Sequence, residues 1–120
     1  MALTIYGIRN CNTVKSAVDW LTKNKVAFEF HDFKSKGIPA VKLKAWCSQV
    51  GWESLVNKRG TTWRQLPADI QNQITSERAA IDLMMEKPSV IKRPVVEAAD
   101  KIVTLGFDPE QYQRLLISNF

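Results

Sequence analysis

A strand-to-helix junction with a cysteine at the join constrains this chain more than any other feature. Leu3-Thr4-Ile5-Tyr6 is a short apolar run suited to a buried strand, and Val14, Ala17, Val18 and Leu21 recur at i, i+3, i+4 and i+7, the spacing of one helix face. Asn10 is suited to cap that helix, which places Cys11 in its first turn. Unpaired amide N–H groups and the positive end of the helix dipole favour an anion there. Arg9 and Lys15 add positive charge on either side. Thiols in such places, or beside cations, have pKa values lowered to roughly 3.5–7.5. The bland alternative is a small residue packed at a turn.

The next segment fixes how the helix is connected. Residues 27–33 alternate with period two, which predicts a second strand with Phe28, Phe30 and Phe33 as core candidates. About a dozen helical residues separate the two strands, so the pair reads as a parallel βαβ unit. His31 lies on the polar phase and is the only histidine, so a metal site would rest on one imidazole, and no metal is expected.

Residues 34–39 read as a loop from their Gly and Pro signals. A helix over 40–50 follows, with Leu43, Trp46, Cys47 and Val50 on one stripe and Gly51 at its end. Cys47 reads as core, because free cysteine is among the most buried residue types. The stretch Asn57-Lys58-Arg59-Gly60-Thr61-Thr62-Trp63-Arg64 is a basic loop, and Arg59 is its best candidate for clamping an oxyanion. A short helix starts near Pro67, and Ser76 caps another that carries Ala80, Ile81 and Met84 and stops before Pro88. Residues 89–97 are rich in β-formers and broken by Pro94, which must open a strand, lie on an edge or mark a turn, where a cis bond is one option. Residues 101–106 supply the next strand, close enough to form a hairpin. Asp108-Pro109-Glu110-Gln111 then offers an N-cap, a proline at N1 and a capping-box glutamine before a last helix that turns Tyr112, Leu115 and Leu116 inward.

With 120 residues the chain makes one domain. Its net charge of +5 suits anionic substrates, a solvated basic surface or a nucleic-acid footprint. Lys34, Lys42, Lys58, Arg64 and Lys92 are scattered rather than aligned, which argues against nucleic acid. Two cysteines make no disulfide framework, no signal peptide is evident and no apolar run approaches a membrane span. A cytoplasmic protein is expected.

The order βαβ, helices, ββα, with a cysteine leading the first helix and a proline leading a late strand, looks like an α/β thioredoxin-like fold with a mixed sheet and a helical insertion. The core would be 1–38 and 88–120 and the insertion 39–87. Over nearly its whole length the chain resembles the arsenate reductase family of the glutaredoxin-coupled kind, which includes the Spx-type regulators. The likeness rests on IYGIRNCNTVKSA, LVNKRGTTWRQL and IKRPVV. The resemblance implies that Cys11 is the nucleophile, that Arg59 and Arg93 hold an oxyanion near it, and that Pro94 is the cis-proline facing the cysteine. Arsenate reductases proper carry a histidine where this chain has Gly7, and a Gly-Thr-Arg sequence that Leu105-Gly106-Phe107 does not reproduce. The chain is more similar to a branch that keeps the cysteine and two arginines and is associated with glutathione-dependent thiol reduction. Val14 stands three residues after Cys11, so the Cys-x-x-Cys switch common in Spx-type regulators is missing.

A single-cysteine, thiol-dependent reductase is the resulting expectation, with no bound cofactor, glutathione as co-substrate and glutaredoxin as a further partner. Its substrate would be a small anion or disulfide, with Asn10, Lys15, Arg59, Arg93 and Pro94 around Cys11. Two alternatives stand: a true arsenate reductase, and a non-catalytic Spx-like regulator that binds a transcription partner.

Overall fold

The first strand, β1 (Leu3–Gly7), lies inside a four-stranded mixed sheet of order β2-β1-β3-β4. This computed structural model describes residues 2–117. β1 pairs in parallel with β2 (Phe28–Asp32) through α1 (Asn12–Lys23), the expected βαβ unit. On its other edge β1 pairs antiparallel with β3 (Val95–Ala98), and β3 with β4 (Lys101–Leu105). The β3–β4 turn places Ala99 and Asp100 at φ of 51° and 65°, the left-handed conformation that a two-residue hairpin requires.

Alternation sorts each strand into two faces. Leu3, Ile5, Val96 and Ala98 share a buried cluster with Ala17 and Leu21 of α1 and with Tyr112. Tyr112 belongs to α8 (Pro109–Tyr112), which continues as a π-helical turn over Gln113–Ile117. Its ring meets Trp20 and Phe107 edge-on, and its hydroxyl donates to the Gly106 carbonyl at 2.7 Å. Each fully buried aliphatic side chain of this layer contributes about 1.5–3 kcal/mol. On the opposite face the Tyr6 hydroxyl donates to Oε1 of the buried Glu97 at 2.9 Å, and the Tyr6 ring packs on His31 with centroids 4.9 Å apart.

The chain forms two compact units, one from the residues up to Asp32 and from Arg93 onward, the other from Phe33–Lys92. The expected insertion, 39–87, lies within the second. That unit is helical: α2 (Phe33–Lys36), α3 (Ala40–Val50), α4 (Trp52–Leu55), α5 (Thr61–Arg64), α6 (Ala68–Gln73) and α7 (Glu77–Glu86), then a 3₁₀ turn over Pro88–Val90. α3 packs on α7, and Leu43, Trp46, Leu55, Met84 and Val90 are fully buried. Ser76 caps α7 by accepting from the Ala79 amide at 3.3 Å.

Several sequence expectations change. Phe33 is buried but opens α2 instead of ending β2, and Phe28 and Phe30 are only half-buried. The β-rich run before Pro94 is a 3₁₀ turn and an isolated bridge from Ile91 to Val56, so strand pairing starts only at Val95. Ile81 is half-buried, and Leu83 takes the core position beside Met84. Asp108 does cap α8, accepting from the Glu110 amide at 3.1 Å. Gln111, however, accepts from the Thr104 hydroxyl at 3.0 Å, which ties its side chain to β4.

Candidate active site

Cys11 is itself the N-cap of α1, with extended backbone at φ −132° and ψ 121°. Asn10, expected in that role, lies one residue earlier in an exposed turn. The shift matters because a cap side chain sits beside the open amides of the first turn. The neutral thiol closes no capping hydrogen bond. Its anion is nevertheless favoured: burial pushes the Cys11 pKa up, and this is outweighed by the Val14 amide, by a hydrogen bond and positive charge from Arg93, and by the Thr13 amide, so the net shift is downward.

Arg93 reaches Cys11 because the chain turns sharply between it and β3. The Arg93–Pro94 peptide bond is cis, and the Pro94 carbonyl accepts from the Gly106 amide at 2.9 Å, anchoring the turn to the end of β4. Pro94 is buried and Arg93 half-buried. The structure thus joins Cys11 and Arg93, with Pro94 next to the latter. Asn10 and Lys15 are exposed to either side of Cys11 along the chain. Arg9 lays its guanidinium over the Phe30 ring, 5.2 Å from the centroid, with Nε 3.6 Å from Asp32 Oδ2.

Gly7 explains part of the sequence's departure from arsenate reductases. A Cβ built on it would stand 2.9 Å from Cγ2 of Val14 and 3.7 Å from the Phe30 ring. β1 and the first turn of α1 approach too closely for a side chain there, so the histidine of arsenate reductases has no room without a change at Val14. That residue 7 has to stay small while Val14 stands against it is a three-dimensional fact that sequence reasoning missed.

Arg59 belongs to the second unit. The Arg59 amide donates to Asn57 Oδ1 at 3.2 Å, and a Cβ on Gly60 would come within 2.9 Å of Asn57 Nδ2, so the turn is tight. Backbone bonds from Asn57 to Val90 and from Lys92 to Leu55, both 2.7 Å, hold the two passing segments together. Between them lies an open depression of about 460 Å³ where Lys58, Arg59 and Lys92 face a single carboxylate, Glu53. Lys58 also stands 5.9 Å from the Trp52 ring and 5.3 Å from the Trp63 ring. Cys47, on α3, is buried, and burial first and the Glu77 carboxylate second push its pKa up.

A family model described as the ArsC family matches residues 6–115. The chain belongs to the ArsC family. Among solved structures, the YffB protein is 41% identical, with a TM-score of 0.87 over 95% of this chain and 98% of that one. An arsenate reductase (ArsC) related protein from Brucella melitensis is also 41% identical, with a TM-score of 0.78 over 98% and 96%. The global transcriptional regulator Spx of Streptococcus agalactiae serotype V is 26% identical over 95% of this chain and 82% of its own. The ArsC fold of this chain is accordingly thioredoxin-like, and its relatives include both arsenate-reductase-related proteins and Spx regulators. Among the described residues no helix is long and apolar enough to cross a membrane.

Proposed function

We propose that this protein is a glutathione-dependent thiol reductase of the cytoplasm with one nucleophile, Cys11. The observation that carries this reading is the lowered pKa of Cys11, set by the amides of α1 and by Arg93 against the opposing effect of burial. The Cys11 thiolate attacks one sulfur of a disulfide R–S–S–R′. A bond forms between Cys11 Sγ and the sulfur of R, the S–S bond breaks, and R′S⁻ leaves and takes a proton from solvent. Val14 leaves no second thiol in the loop, so an external thiolate must resolve the adduct, and glutathione is assigned that role with glutaredoxin behind it. Glutathione attacks the sulfur of R, GS–SR forms, and Cys11 departs as a thiolate; a second glutathione converts GS–SR to RSH and GSSG. Arg93 lowers the cost of that departing charge, because a charge-assisted hydrogen bond to a thiolate is stronger than one to a thiol. Asn10 and Lys15, exposed beside Cys11, are offered to the substrate's polar groups. The family resemblance gives Arg59 the task of holding an anion, which suits the positive depression it lines.

Two other readings rest on specific observations. Arsenate reduction is suggested by the Brucella relative, an arsenate reductase (ArsC) related protein, and the crowding at Gly7 speaks against it. Regulation is suggested by the Spx relative. The deciding experiment follows glutathione oxidation by the pure protein with hydroxyethyl disulfide and, separately, with arsenate. Turnover of the disulfide that Cys11→Ser abolishes is the expected result. Oxidation with arsenate alone would replace the proposal by arsenate reduction. Turnover with neither, together with capture of a transcription partner that Cys11→Ser leaves intact, would replace it by regulation.

A further inference from the structure

The groove between α1 and β2 stands unused by the chemistry above. It is open, about 370 Å³ in volume, within the range of small-ligand sites. Phe28 and Phe30 of the edge strand and Val14 and Val18 of α1 give it an apolar lining, and Phe28, Phe30 and Val18 are only half-buried, so the groove leaves apolar surface uncovered. Val14 connects it to the nucleophile: its amide favours the Cys11 thiolate while its side chain lines the groove. Charge is distributed unevenly along the lining. Arg9 and Lys15 come from either side of Cys11 in the chain, whereas Asp19 lies one helical turn beyond Lys15. The 3.6 Å contact of Arg9 with Asp32 uses only Nε, so the terminal amino groups of the guanidinium still have donors to give.

We infer that this groove holds the apolar, monocarboxylate-bearing group attached to the sulfur that Cys11 attacks. The inference rests on the reductase reading and deepens it by naming the substrate class: disulfides whose R group is an aromatic or branched aliphatic carboxylate. The apolar body lies on Phe28, Phe30 and Val18, and the carboxylate meets Arg9 and Lys15. Asp19 repels a second carboxylate at the far end, so dicarboxylates are disfavoured. The bond changes are those already given: Cys11 Sγ bonds to the sulfur of R while R′S⁻ leaves and is protonated by solvent.

The test compares two symmetrical disulfides, that of 2-mercapto-3-phenylpropanoate and hydroxyethyl disulfide, under glutathione-coupled turnover. Half-burying a phenyl ring predicts a kcat/KM about tenfold higher for the phenyl carboxylate. Val18→Glu brings that ratio down to about one, because the new carboxylate is desolvated by the ring and repels its acid group. Arg9→Gln, an exposed change that spares the fold, lowers the ratio about threefold through the lost charge-assisted contact. A readout independent of turnover is the methyl NMR spectrum of Cys11→Ser titrated with 3-phenylpropanoate, in which Val14 and Val18 are expected to shift. Hydroxyethyl disulfide turnover with equal kcat/KM for both substrates and no shift at Val14 or Val18 overturns the groove and leaves the reductase standing. Shifts at both valines with turnover of neither disulfide overturn the reductase reading, and with it the role of the groove in catalysis.

Discussion

Cys11 and Cys47 are the same residue in opposite environments. Cys11 stands at the open end of α1 and Cys47 on the buried stripe of α3. Burial raises both pKa values, and it is the leading influence on each. At Cys11 the donors of Val14, Arg93 and Thr13 overturn it, whereas at Cys47 the Glu77 carboxylate adds to it. The lesson is that partial burial does not make a cysteine inert. What decides is whether hydrogen-bond donors or a like charge await the thiolate.

The severest way to break this contrast is to remove each sulfur in turn. Cys11→Ser is expected to lower disulfide turnover by on the order of a thousandfold or more, because the adduct cannot form. Cys47→Ala is expected to leave turnover within about twofold while costing about 1 kcal/mol in a urea melt, through a small cavity under α3. Next comes Arg93→Met, which removes a donor and a charge at once. In a Cys47→Ala background, the pH of half-maximal alkylation of Cys11 should rise toward the ordinary thiol value, and the alkylation rate at neutral pH should fall. The sign follows from the lowered pKa: wild-type Cys11 stays ionised as pH falls below the ordinary thiol value and loses its thiolate only on passing the lowered one. An unchanged pH profile would show that the α1 amides act alone.

Gly7→Ala tests the backbone beneath the same turn. Its new methyl meets Val14 at 2.9 Å, so a loss of about 1–3 kcal/mol is expected by denaturant titration, and Val14→Ala in the same chain should recover most of it. Full stability in the single variant would show that α1 can shift freely. The mildest change is Glu77→Gln. It should lower the Cys47 pKa slightly, leaving it above that of Cys11, because burial, the larger cause, remains. Alkylation of Cys11→Ser as a function of pH reads this directly.

The fold was legible wherever one residue type admits one local role. Ser76 and Asp108 mark helix starts because each offers an oxygen to an amide in the first turn, and Pro94 could stand only where no ladder hydrogen bond is donated. Errors arise where two local rules compete. Phe33 follows the alternating run of β2 but falls on the phase opposite to Phe28 and Phe30, and it starts a helical turn, while Gln111 satisfies a capping-box pattern but is drawn to Thr104. At the site, the cysteine and its helix were readable, and the exact cap was not. Asn10 is the better cap by chemistry, but the chain gives the position to Cys11. The contact between Cys11 and Arg93 joins residues far apart in sequence, and no periodicity encodes it; only the family resemblance pointed there.

The first unit is assembled from both ends of the chain, while Phe33–Lys92 is continuous. During synthesis β1, α1 and β2 emerge first and can pair locally, but the second edge of β1 has to wait for Val95–Ala98. The whole helical segment is made in that interval, and at a ribosomal rate of about 5–20 residues per second the wait lasts several seconds. A nascent chain therefore carries an exposed strand edge, already beside a cysteine prone to ionise, before Arg93 exists to steady it.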